Sequence, residues 1–219
     1  MTRMPKQFWN RENTEKSLAL LGRLSKEIDF VLIGGWAVYM HTKAQRSEDV
    51  DIAIGYDSLS YFSKYGIEEY EGLHIKHTNV EGTVVDLFIE EYADPDLPMP
   101  VRDILGNYDT VTGIRVASSE VLVLLKLWGY FRPDEVKRRK DIIDVVSLLF
   151  YANMDLEVVR RYISRYRIER RKSTDAMLEY LDTGETLWEF ITDTKEEYAR
   201  LKERAKRDIK KAFHQDMGA

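Results

Sequence analysis

The chain has 219 residues, 44% of them hydrophobic, which is enough apolar material for one or two compact cores and too much for disorder. A formal charge of −5 gives no global attraction to nucleic acid, so any such contact must rest on a local basic patch. The sequence has no cysteine, which excludes disulfides, thiolate nucleophiles and cysteine-ligated metal. It also has neither an apolar leader nor a membrane-length run, and is read as a soluble cytoplasmic protein.

Leu18, Leu21 and Leu24 at helical spacing predict a helix over 10–26. Phe30, Val31, Leu32 and Ile33 then form an apolar run ending in Gly34-Gly35, which predicts a buried strand, a tight turn and a short helix over 36–41. Val50, Ile52 and Ile54 alternate with Asp49, Asp51 and Ala53 as a strand does, and Gly55 closes it. A small helix over 56–64 follows, then strands over 73–79 and 83–90, a proline-rich connection over 93–100, and short strands over 108–111 and 114–116 about Thr112-Gly113.

From Ser118 the period becomes helical, first through Leu122, Leu125 and Trp128 and then through Ile142, Val145, Val146 and Leu149. Ser118 or Ser119 suits an N-cap and Pro133 a first turn, and helices over 156–166, 175–181 and 186–213 complete the chain. The expectation is an α+β protein, with a mixed sheet and flanking helices over 1–117 and an all-helical domain over 118–219.

Taken alone, Gly34-Gly35 marks a tight turn, and acidic residues on a strand face are usually just solvated. Their surroundings change this. Asp49 and Asp51 share one strand face while Val50 and Ile52 point into the core, so two carboxylates converge. Asp86 stands inside the apolar run Val84-Val85-Asp86-Leu87-Phe88-Ile89, where an acid is costly unless something compensates it. Either it pairs with a buried cation, for which Arg46 and Lys126 are candidates, or it joins Asp49 and Asp51.

Ile33-Gly34-Gly35-Trp36-Ala37, Asp49-Val50-Asp51-Ile52 and Val85-Asp86-Leu87 together resemble the DNA polymerase β superfamily of nucleotidyltransferases over the N-terminal half. Arg46-Ser47-Glu48-Asp49, Leu125-Lys126-Leu127 and the helix from Lys137 through Asp141 to Asp144 look like its AbiEii-type toxin group, which includes toxins that nucleotidylate RNA. The Gly-Gly-Trp-Ala segment is also similar to small nucleotidyltransferases that modify antibiotics, and a degenerate nucleotide-binding or interaction module is a third alternative. The intact Asp49, Asp51 and Asp86 argue against degeneration.

The resemblance implies two-metal transfer of a nucleoside monophosphate from a nucleoside triphosphate, ATP among them, with Mg2+ or Mn2+ held by Asp49, Asp51 and Asp86. It implies that Gly34 and Gly35 hold the triphosphate, that Arg46 and Lys126 steady its charge, and that a neutralising protein partner exists. For RNA, the basic stretch of Arg160, Arg161, Arg165, Arg167, Arg170, Arg171 and Lys172, with Tyr162 and Tyr166 interleaved, suits phosphates and stacked bases, although a solvated helix face explains it equally simply. His74 and His77 make a poor metal pair, His41 reads as a surface residue, and Trp36 and Trp128 read as core.

Overall fold

The computed structural model describes residues 6–128 and 134–214, with the side chains of Arg170, Arg171 and His214 outside the description. The expected first-turn proline, Pro133, therefore lies outside the described residues. Helix α1 (Arg11–Glu27) starts at Asn10, whose side chain accepts the Glu12 N–H, and it buries Leu20, Leu21 and Leu24. Strand β1 (Val31–Ile33) is buried throughout and runs directly into α2 (Gly34–Thr42). After an ordered loop come β2 (Val50–Ile54), α3 (Tyr56–Leu59) and a 3-10 turn (Ser60–Tyr65).

The edge strand β3 (Glu68–Glu69) precedes β4 (Lys76–Val80), which starts later than the apolar pattern suggested because Tyr70 to Leu73 forms a turn closed by a 3.0 Å hydrogen bond. Strands β4 and β5 (Thr83–Ile89) meet at Glu81-Gly82, both with positive φ, as a two-residue hairpin requires. The proline-rich connection is followed by a helix the pattern did not show, α4 (Val101–Leu105), before β6 (Tyr108–Val111) and β7 (Ile114–Ala117). Among the described residues the strands form one seven-stranded mixed sheet in the order β3-β4-β5-β2-β1-β7-β6.

Beyond Ala117 the described elements are helical: α5 (Ser119–Trp128), α6 (Glu135–Tyr151), α7 (Leu156–Arg165), α8 (Arg170–Thr183) and α9 (Lys195–His214). The single helix expected over 186–213 is instead a 3-10 turn (Gly184–Phe190) and then α9. Thr194 restarts the helix, its hydroxyl accepting the Glu197 N–H at 3.1 Å. Helix α2 lies between the sheet and the pair α5 and α6, so the apolar core continues from α1 through the sheet into the C-terminal helices.

Trp36 is fully buried, whereas Trp128 is 51% exposed and donates its indole N–H to the Asp96 carbonyl, which corrects its reading as core. His41 is half-buried rather than a plain surface residue, with Nε2 at 2.9 Å from the Ala117 carbonyl oxygen, and so ties α2 to the end of β7.

Candidate active site

The register of three central strands assembles the site. Antiparallel pairing of β1 with β2 sets Ile33 opposite Asp51, and parallel pairing of β2 with β5 sets Asp51 opposite Asp86. Gly34, the next residue after Ile33, therefore lies against the Asp51 side chain. A Cβ there would stand 1.9 Å from Asp51 Oδ2, and the backbone holds φ at +66°. Glycine is required on both counts. Gly35 is similarly close, with a Cβ placed 2.6 Å from Ser47 Oγ. Ile33 at the α2 N-cap offers no side-chain acceptor to the first-turn N–H groups. Gly34→Ala is expected to displace Asp51 and cut any transfer activity by about 10²-fold, as misplacement of a reacting group by an ångström does. A melt and a transfer assay on that variant check it, and wild-type turnover with alanine present would remove the close-approach argument.

The loop that delivers Asp49 is pinned at two points. Gln45, 1% exposed, accepts the Phe8 N–H and donates to the carbonyls of Lys6 and Phe190, each at 2.7 Å. Ser17 donates its hydroxyl to the Ser47 carbonyl at 2.8 Å while accepting the Trp36 indole N–H at 3.0 Å. These bonds join α1, α2 and the loop, and Ser47 Oγ then donates to Asp49 Oδ1 at 3.3 Å. Arg46 sits in this loop, its backbone N–H facing Gln7 Oε1 at 3.4 Å.

Asp86 is bonded to neither of the cations considered for it. Its Oδ1 accepts the Tyr70 hydroxyl at 2.8 Å, and the Tyr70 ring stacks on His77 with centroids 4.1 Å apart. Burial, reinforced by the charge of Asp49, raises the Asp86 pKa above the usual carboxylate range, while the Tyr70 hydrogen bond, Lys137 and His77 pull it the other way. Burial and then the charges of Asp86, Asp49 and Asp51 push the Tyr70 phenol up in turn. All three aspartates thus act on one neighbourhood. Among the described residues no three His, Asp or Glu side chains converge tightly enough to cage a metal ion unaided. A cleft of about 340 Å³ lined by Asn13, Lys16, Glu48, Asp49 and Tyr70 opens beside this neighbourhood.

Lys126 is committed to carboxylates on α6, at 2.9 Å from Asp141 Oδ1 and 2.9 Å from Asp144 Oδ2. Asp144 also pairs with Lys140, whose Nζ comes within 3.6 Å of the Cβ position on Gly35. Burial would lower the Lys126 pKa, but the charges of Asp141, Asp144 and Asp51 outweigh it and hold the lysine charged. This buried network backs both the Gly-Gly turn and Asp51. Sequence reasoning quoted its residues but gave no role to Lys140, Asp141 or Asp144. The available signal was Asp144, an acid between Ile142-Ile143 and Val145-Val146 in α6. Tyr70 was missed as well, and it carries no sequence signal of its own.

The basic stretch is partly neutralised. Arg160 pairs with Glu157 at 2.8 Å, Lys172 with Glu169 at 2.7 Å and Arg165 with Asp103 at 3.5 Å. The Tyr162 and Tyr166 hydroxyls donate to Asn107 and Asp103, fastening α7 to the α4 region. Arg161, Arg165 and Arg167 are exposed, while the Arg170 and Arg171 side chains lie outside the described residues. His74 bonds Asp96 and His77 stacks on Tyr70, so the two histidines serve different places.

A buried strand turning through two glycines into a helix, beside two parallel strands that pair their aspartates, is a nucleotidyltransferase-type domain. The chain matches the family described as nucleotidyl transferase AbiEii toxin, type IV TA system, over residues 16–218, and belongs to it. Membership supports a nucleotidyltransferase toxin and implies an antitoxin as its counterpart. A search of curated proteins returns no match. No described helix is long and apolar enough to cross a membrane.

Proposed function

We propose that this protein transfers a nucleoside monophosphate from a nucleoside triphosphate to a hydroxyl of RNA, with Mg2+, or Mn2+ in its place, held by Asp49, Asp51 and Asp86. The observation that carries the reading is the pairing of Asp51 with Asp86 across β2 and β5, with Gly34 packed against Asp51, in a chain of the nucleotidyl transferase toxin family. The donor set fits a hard cation, because Mg2+ is commonly held by one or two carboxylates while phosphate oxygens complete its shell. Bound there, the metal would acidify the acceptor hydroxyl and neutralise the departing pyrophosphate.

The chain's own groups divide the remaining work. Gly34 and Gly35 let phosphate approach the backbone, and the first-turn N–H groups of α2 face it. Two of the three Lys126 donors go to Asp141 and Asp144, which leaves a third for a phosphate oxygen on the Asp51 side, with Arg46 the second cation. Asp86, with its raised pKa, takes the proton of the acceptor hydroxyl. In this reading residues 1–117 carry the chemistry and 118–219 form a helical domain that backs it through Lys126, Asp141 and Asp144.

Incubation with each labelled triphosphate, Mg2+ and total RNA tests the proposal, the expected result being label in one RNA class. Label only in small hydroxylated compounds would move the acceptor to an antibiotic-like molecule. The residues from Arg160 to Lys172 are the proposed RNA contact. Reversing charge at Arg165 and Arg170 should weaken RNA binding and flatten its dependence on the logarithm of salt concentration by about 1 to 2. An unchanged slope returns that stretch to a solvated surface.

A further inference from the structure

We propose that the enzyme nucleotidylates itself at Tyr70. The inference rests on the proposed function and names a second acceptor for the same site. A nucleophile and its base are recognised by a hydrogen bond between them, with the nucleophile open to the reacting group. The hydroxyl that meets this description here belongs to the protein itself. Tyr70 Oη lies 2.8 Å from Oδ1 of Asp86, the carboxylate that takes the acceptor's proton, and Tyr70 lines the same cleft as Asp49.

Two features hold the phenol there. Its backbone N–H donates to the Ile75 carbonyl at 3.1 Å, and its ring is stacked on His77, whose backbone pairs in register with Asp86. The tyrosine is thus fixed over the carboxylate from both the turn and the sheet. Ser47, whose hydroxyl donates to Asp49, is by contrast 5% exposed and lies close against Gly35. Tyr70 is half-exposed at the mouth of the cleft.

In the step, the phenol oxygen attacks the α-phosphorus of the bound triphosphate. The new O–P bond forms as the bond from that phosphorus to the oxygen bridging the β-phosphate breaks. Pyrophosphate leaves with that electron pair, and the phenol proton passes to Asp86. The product is a tyrosyl phosphodiester of a nucleoside monophosphate, and the triphosphate is the sole co-substrate.

The full chain is incubated with each nucleoside triphosphate and Mg2+ without any acceptor. Adducts are then located by intact mass and peptide mapping, with pyrophosphate release and label transfer to total RNA measured on the same preparation. The expected result is one nucleoside monophosphate on the peptide carrying Tyr70, reduced at least tenfold in Tyr70→Phe and in Asp86→Asn. Tyr70→Phe keeps the ring and its stack on His77, and the mapping on the parent chain needs no variant. Label in RNA with no adduct at Tyr70 overturns the proposal while the proposed function stands. An adduct mapped elsewhere overturns it too. Absence of triphosphate binding and of pyrophosphate release with any acceptor defeats the proposed function, and the self-modification with it.

Discussion

Asp144→Ala is expected to lower the melting temperature by roughly 10 °C, because breaking a buried ion pair costs about 3–5 kcal/mol and each kcal/mol is worth about 2–4 °C in a chain of this size. Asp144 is 0% exposed and faces both the buried Lys140 and Lys126, whose side chain is 16% exposed, so its removal leaves two ammonium groups short of compensation. Asp182→Ala is the control. That carboxylate is also held by two lysines, Lys202 and Lys206, each at 2.8 Å, but it is 56% exposed, and exposed pairs contribute about 1 kcal/mol or less. A drop for Asp144→Ala no larger than for Asp182→Ala would show that the buried network does not hold α5, α6 and the Gly-Gly turn together.

The same network fixes a pH dependence of known sign. Burial would raise the Asp144 pKa, but Lys140 and Lys126 outweigh it and hold the carboxyl below its ordinary value. Its contribution is therefore present above the unfolded carboxylate pKa, about 3.9, and is lost as pH falls through the lower folded value. The Lys126 pKa is raised, so its contribution is complete below the unfolded lysine pKa, about 10.4, and is lost only as pH rises through the higher folded value. Between these limits the pairs are intact. The acid limb of stability should accordingly be shallower in Asp144→Ala than in the parent chain.

Much of this architecture was legible in the sequence because burial imposes a period. The apolar run into Gly34-Gly35, the alternation from Asp49 to Ile54 and the helical spacing after Ser118 each face one core. The pattern fails where burial is absent or local chemistry decides. The edge strand β3 consists of two exposed glutamates, and α4 is five residues long behind prolines. The break between Phe190 and Lys195 depends on hydroxyl capping by Thr194 rather than on apolar spacing.

The candidate site divides in the same way. Asp49, Asp51, Asp86 and the glycines stand out because acids and glycines inside apolar strands need a reason. Their partners do not stand out. Asp86 meets Tyr70 rather than Arg46 or Lys126 because strand register and a turn bring residues 16 apart in sequence together. Lys126 meets Asp141 and Asp144 because α5 packs on α6. Partner choice of this kind is set by tertiary geometry, which residue spacing does not encode.

Asp51→Asn and Asp86→Asn should each reduce nucleotidyl transfer by on the order of 10³-fold, about 4 kcal/mol of transition-state stabilisation, yet differ in what they leave behind. Asp51 lies against Gly34, which the proposed function sets at the triphosphate, so its amide variant should lose most of the Mg2+-dependent thermal stabilisation by triphosphate. Asp86 accepts the Tyr70 hydroxyl and is the proposed base for the acceptor, so its variant should keep part of that stabilisation while turnover fails for want of that base. The metal-free proteins should differ too. Because burial and Asp49 raise the Asp86 pKa, its ionised form costs stability above the carboxylate range. An amide in its place removes that charge and still accepts the Tyr70 hydroxyl, so Asp86→Asn should melt about 2–4 °C higher for each kcal/mol of repulsion relieved. Melts with and without Mg2+ and triphosphate, run beside a labelled-transfer assay, separate these outcomes. If both variants keep parental transfer and parental metal response, the carboxylates are structural and the active site lies elsewhere.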